Sequence, residues 1–102
     1  MTFNANLEIK NAIAEIALSG ELDANTAPTF KEKVEKALTA DIQRLVLIME
    51  DLEYMSSAGL RVLIFAKQKL GTAVDIYLVK PQAMVQDTIE KTGFHHSIVI
   101  EH

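Results

Sequence analysis

Asp51-Leu52-Glu53-Tyr54-Met55-Ser56-Ser57-Ala58-Gly59-Leu60-Arg61 is the stretch whose reading decides the fold, because it joins two segments of different periodicity. Before it lies Leu45-Val46-Leu47-Ile48-Met49, a continuous apolar run that reads as a central strand covered on both sides. After it, a helix is expected from about Ala58 to Leu70, with Lys67 and Lys69 in its last turn, where cations suit the dipole. Gly71 can close that helix. At the junction stand Ser56 and Ser57, with the carboxylates of Glu50, Asp51 and Glu53 just upstream.

Working outward, Leu7-Glu8-Ile9-Lys10 alternates, and so does Ala14-Glu15-Ile16-Ala17-Leu18, with Asn11 between them. This pattern predicts two short strands in a hairpin, the second ended by Gly20. Asn25 and Thr26 are helix N-cap candidates, and Pro28 suits a first turn. Phe30, Val34, Ala37 and Leu38 recur on one helical face. The opposite face is charged and includes Glu32 and Lys36, an i,i+4 pair. Val74, Ile76 and Leu78 predict a fourth strand. Pro81 is expected to open a third helix carrying Val85 and Ile89 inward, and Gly93 to end it with Phe94 packing back. Ile98-Val99-Ile100 suits a last short strand. The order predicts an α/β domain spanning residues 1–102, with right-handed crossovers and mostly parallel strands. The segments Gly20–Thr26, Glu50–Ser57 and Lys80–Pro81 are then loops at the carboxyl edge of the sheet, where α/β domains usually place function. Asp23 and Ser57 become neighbours in space.

Composition narrows the function classes. The 102 residues are 49% hydrophobic and 24% charged, as in a soluble globular domain. No cysteine is present, which excludes disulfides and thiolate metal sites and suits a reducing cytoplasm. The first residues, Met1 to Asn6, do not read as a signal peptide. Leu45–Met49 is far too short to cross a bilayer. The net charge of -4 disfavours nucleic acid and anionic membranes as direct partners. His95, His96 and His102 lack metal-ligand spacing, and no phosphate loop or nucleophile elbow occurs, so neither a cofactor, a metal nor an enzyme is expected.

Each candidate has a plain structural role and a functional one. A serine ahead of an apolar helix most often only caps it, contributing about 1 kcal/mol. An exposed serine there can also accept a phosphate, which adds about -1.5 to -2 charges. The helix dipole tolerates that charge, so the fold survives while a partner packed on the surface does not. Gly20-Glu21-Leu22-Asp23 reads either as a turn into a cap or as a loop whose carboxylates face the serine. The apolar helix reads either as buried on several sides or as offering part of Leu60, Ile64 and Phe65 for docking.

Gly20–Asp23, the apolar strand Leu45–Met49 and the run from Asp51 to Leu63 together resemble the STAS family, and within it the bacterial anti-sigma factor antagonists. The resemblance covers nearly the whole chain. It implies a small mixed, mostly parallel sheet with helices packed mainly on one side. It also implies partner switching: the unphosphorylated protein binds an anti-sigma factor that is also a serine kinase, and phosphorylation blocks that binding. A metal-dependent serine phosphatase would reverse the mark. Aligned on Met55 and Gly59, the phospho-acceptor falls on Ser57, with Ser56 as the fallback, and the loop aspartate on Asp23. Some relatives have aspartate at the position of Ser56 and serine at that of Ala58. The partner-binding set implied is Glu21, Asp23, Asn25, Thr26, Met55, Ser56, Ser57, Leu60, Arg61 and Ile64. A cytoplasmic protein, monomeric when free, fits the resemblance. The rivals are a phosphate-independent STAS module, such as a stress-signalling scaffold or a lipid-transport accessory subunit, and a small nucleotide-binding protein or enzyme.

Overall fold

The computed structural model describes residues 2–102. The elements, in chain order, are β1 (Asn4–Lys10), β2 (Ile13–Leu22), α1 (Ala27–Leu38), β3 (Arg44–Met55), α2 (Ser57–Leu70), β4 (Asp75–Val79), α3 (Ala83–Glu90), a 3-10 turn (Phe94–Ser97) and β5 (Val99–Glu101). They form one five-stranded sheet in the order β1-β2-β3-β4-β5. β1 and β2 are antiparallel, and every other neighbouring pair is parallel. The expected mixed sheet is thus present, with each crossover made by a helix.

The hairpin turns on two residues, Asn11 and Ala12, both at positive φ (53° and 64°). That is the pattern of a type I′ loop, whose twist matches the strands it joins. Asn tolerates this region and alanine does so at a cost. In the first helix Pro28 lies in the first turn and Phe30, Val34 and Ala37 are buried, as the spacing requires. Glu32 and Lys36 meet at 3.6 Å on its exposed face.

The core lies between the helices and one face of the sheet. Ile16, Leu18, Leu45, Leu47, Met49, Ile76 and Leu78 point inward, against Phe30 and Val34 of α1, Leu63 and Ala66 of α2, and Val85 and Ile89 of α3. Leu45–Met49 was expected to be covered on both sides, and this is corrected. Val46 and Ile48, on the other face, are only half-buried, because the three helices share one side.

Three boundaries also differ from the sequence reading. Gly20 does not end β2, which runs on to Leu22 after shifts of register around Ser19 and Gly20. Gly20 is instead the place where the backbone of Thr2 and Phe3 lies close against the strand. At its φ of +85° a Cβ would stand 2.5 Å from the carbonyl oxygen of Thr2. Glu50–Met55 is not a loop, since β3 continues through it and pairs Gly20 with Leu52 and Leu22 with Met55. Pro81 does not open α3. The helix starts at Ala83 with Gln82 as its N-cap, and Pro81 fixes the approach. Gly93 does act after the helix, at φ 78°, and Phe94 packs against the core.

Candidate functional site

The extensions of β2 and β3 carry the chain past the sheet's carboxyl edge side by side. Glu21 pairs with Tyr54 and Leu22 with Met55. The last rung is the Ser56 N–H, which donates to the Leu22 carbonyl at 2.8 Å. The start of α2 and the turn after β2 are therefore held together by backbone. The sequence expectation that residues around Asp23 and Ser57 share one edge is met by this pairing.

The two serines have different environments. Ser56 is extended (φ -87°, ψ 175°) and is the N-cap of α2. Its hydroxyl accepts from the Gly59 N–H at a long 3.5 Å, and its carbonyl accepts from the Leu60 N–H at 3.1 Å. Ser57 is the first residue within the helix and is exposed. Its hydroxyl makes no hydrogen bond among the described residues. The capping duty falls on one serine and leaves the next one open to solvent.

Gly59 allows α2 to begin so close to β2. A Cβ there would stand 2.6 Å from Leu22 Cγ and 3.2 Å from Met55 Cγ. The glycine is required for close approach rather than for an unusual backbone angle. In the sequence it served only as a point on which the serine motif aligns with the family.

Asp23 organises its own turn. Its Oδ1 accepts from the N–H of Asn25 at 2.9 Å and of Thr26 at 3.1 Å. The Asp23 carbonyl accepts from the Ala27 N–H at 2.8 Å. Thr26, the N-cap residue, makes no side-chain cap to its helix. Its hydroxyl instead donates to the Glu21 carbonyl at 2.9 Å and accepts from the Asp23 N–H, also at 2.9 Å. So Asp23 and Thr26 lock Glu21 to Ala27 into one rigid turn beside the serines. Glu21 and Asn25 are exposed on it.

The helix face divides the expected contact residues. Arg61 is exposed, one turn beyond Ser57. Ile64 and Phe65 are half-buried, and Lys31 Nζ lies 4.8 Å from the centre of the Phe65 ring. Leu60 is only 5% exposed and Met55 only 1%, so both support the surface from beneath rather than form it. Periodicity could not separate these residues, because α2 is apolar in nearly every direction.

The acidic residues upstream of the serines are exposed. Glu50 pairs with Lys80 at 3.3 Å, and its carbonyl accepts from Gln82 Nε2 at 2.8 Å. Lys80 holds a φ of +53°, and its N–H is bonded to the Glu101 carbonyl. These links, absent from the sequence reading, tie the end of β4 to β3 and β5. Among the described residues no group of three or more His, Asp or Glu side chains is placed to hold a metal. His95 and His96 lie together, ring centres 4.0 Å apart, on the 3-10 turn.

Known proteins share this fold. The chain is 25% identical over 83 residues to the anti-sigma-F factor antagonist RsfB of Mycobacterium tuberculosis, covering 81% of this chain and 68% of that one. The crystal structure of an anti-sigma factor antagonist from Mycobacterium paratuberculosis superposes with a TM-score of 0.89 at 22% identity, over 98% of this chain and 86% of the other. The anti-sigma factor antagonist SpoIIAA in its unphosphorylated form gives 0.83 at 20% identity, over 97% and 89%. The phosphorylated form of SpoIIAA, a Bacillus cell fate determinant, gives 0.74 at 18%, over 99% and 92%. The family model of the STAS domain matches residues 4–102, from the first strand through the last, and by that match the chain belongs to the STAS domain family.

Proposed function

We propose that this protein is an anti-sigma factor antagonist that works by partner switching. Its unphosphorylated form docks an anti-sigma factor with serine kinase activity through the Glu21–Thr26 turn and the start of α2. Phosphorylation of Ser57 ends that binding, and a metal-dependent serine phosphatase restores it. The protein itself supplies no catalytic group and works in the cytoplasm.

One observation carries this reading: Ser57 is exposed at the helix start while Ser56 does the capping. A phosphate on Ser57 meets the positive end of the α2 dipole, so the domain tolerates it. The same charge is added to an edge that already exposes the Glu21 carboxylate at the end of β2. A docked partner has to accommodate it in a desolvated contact. A loss of about 3 kcal/mol there weakens binding on the order of a hundredfold. The names of the relatives, antagonists of anti-sigma factors, and the existence of SpoIIAA in both phosphorylation states support the same direction.

The test is intact-mass analysis and peptide mapping after incubation with ATP, magnesium and host lysate. A single phosphate on Ser57, lost in Ser57→Ala, is the expected result. Phosphate on Ser56 alone moves the site. No phosphate, with a control substrate labelled, favours a phosphate-independent STAS module instead.

A further inference from the structure

Arg61 is the one charged residue between Ser57 and Ala66, and α2 contains no carboxylate at all. Arg61 is exposed, and none of the ion pairs found among the described residues includes it. The helical neighbours of a side chain lie three and four positions away. For Arg61 these are Ala58 and Ser57 on one side and Ile64 and Phe65 on the other. Ser57 is the one polar residue among them.

Direction favours this pair. Side chains on a helix lean towards its amino end, so an arginine covers the residue four positions before it. The Cβ atoms of such a pair are about 5–6 Å apart, a gap that an arginine spans. Two other cations of α1 and α2 are engaged further along: Lys31 Nζ and Lys69 Nζ lie 4.8 and 5.8 Å from the centre of the Phe65 ring. Ser56 is placed differently. It is extended, at φ -87° and ψ 175°, and its hydroxyl accepts from the Gly59 N–H. It also lies outside the set of positions that face Arg61 along the helix.

We propose that Arg61 is the internal counter-ion of a phosphate on Ser57. The inference rests on the switching mechanism above and adds how its off state is held. The guanidinium donates two N–H bonds to phosphate oxygens, the fork geometry for which arginine suits this group. The phosphate then stays against the first turn of α2, where the dipole also favours it. An unmodified serine offers no charge to pair with, so in the unphosphorylated protein Arg61 remains available to a partner. Phosphorylation thus makes two changes on the docking surface at once. It adds negative charge, and it withdraws a cation.

The pairing also separates the two adjacent serines as acceptors. A phosphate on Ser57 gains Arg61, whereas one on Ser56 lies off the Arg61 face and disturbs the hydroxyl that caps Gly59. The pair lies at the surface, so salt screens it and its effect is modest. It shifts the balance between two states of one fold rather than building a new structure.

Phosphoserine installed at position 57 during synthesis of the full chain tests the proposal without a kinase. The second proton of an unpaired phosphoserine leaves near about pH 6. Titration followed by phosphorus NMR is expected to give a midpoint that is lower in the parent background than with Arg61→Gln, and to recover most of that lowering with Arg61→Lys. At low salt, phosphorylation should raise the melting temperature by about 1–4 °C more in the parent than in Arg61→Gln. With phosphoserine at position 56 instead, Arg61→Gln should leave the midpoint where it is. A midpoint at position 57 that ignores Arg61→Gln, or an equal response at position 56, overturns the proposal. A chain that forms the pair but is never phosphorylated by its host fails the switching mechanism alone, so the two failures are distinct.

Discussion

The Ser56 N–H donates to the carbonyl of Leu22 at 2.8 Å, and this one bond ties the start of α2 to the end of β2. Residues 34 positions apart in the chain become neighbours through backbone alone. A side chain on the Glu21–Thr26 turn and a hydroxyl at the helix start can therefore be read by one partner surface. The positions are set by the sheet rather than by flexible side chains.

The division of labour between the serines gives the first prediction. Ser56→Ala removes a helix cap whose hydrogen bond is already long, and should cost about 0.5–1 kcal/mol of stability. Ser57→Ala and Ser57→Asp should change stability by less than about 0.5 kcal/mol, because Ser57 is exposed. Binding to the anti-sigma factor should show the reverse order: retained in Ser56→Ala and Ser57→Ala, and lost on the order of a hundredfold in Ser57→Asp. Thermal melts and binding isotherms on the three variants check both rankings. Tight binding by Ser57→Asp would remove the charge-based switch.

Gly59 supports a sharper stability prediction. A methyl group there meets Leu22 Cγ at 2.6 Å, well inside any normal contact. Leu22 is fully buried, so it has little room to yield. Gly59→Ala is expected to cost about 1–3 kcal/mol through overpacking, despite the better helix propensity of alanine. Denaturant unfolding with an unchanged m-value would establish the size. A stabilised variant would mean that the helix start shifts freely, which the Ser56–Leu22 bond argues against.

The element order, the helical faces and the carboxyl-edge location of the site were legible in the sequence because each follows from local periodicity. Phe30, Val34 and Ala37 mark their helix face by spacing alone. The length of β3 was not legible. Glu50, Asp51, Glu53 and Tyr54 break the apolar pattern, and their strand character comes from pairing with β2 across a bulge. Nor could periodicity show that Met55 and Leu60 are buried while Arg61 is not, since that depends on how α2 lies on the sheet. The same holds for the open side of Val46 and Ile48, where apolar composition suggested cover that this chain alone does not provide.

The hairpin loop offers a test of local backbone chemistry. Ala12 sits at φ 64°, where an L side chain is strained and glycine is not. Its carbonyl also accepts from the Gln43 N–H at 2.7 Å, so the conformation is held from outside the turn. Ala12→Gly creates the Asn-Gly pair favoured in such loops and should stabilise the domain by about 1 kcal/mol. A rise in the denaturation midpoint is the expected readout. A fall would mean that the unfolded chain's added freedom outweighs the relieved strain.

Asp23 separates a structural role from a recognition role. Its Oδ1 holds the N–H groups of Asn25 and Thr26, so Asp23→Ala should loosen the turn and cost about 1–2 kcal/mol. Asp23→Asn keeps a carbonyl oxygen able to accept both bonds while removing the charge. Its stability should fall by less than about 1 kcal/mol. If the partner reads only the shape of the turn, Asp23→Asn binds like the parent and Asp23→Ala does not. If the partner pairs a cation with the carboxylate, both variants lose affinity alike, and raising the salt concentration weakens the parent towards the Asn variant. The second outcome is expected, because Glu21 adds a further exposed carboxylate on the same turn. Binding isotherms at low and high ionic strength for the parent and both variants decide between them.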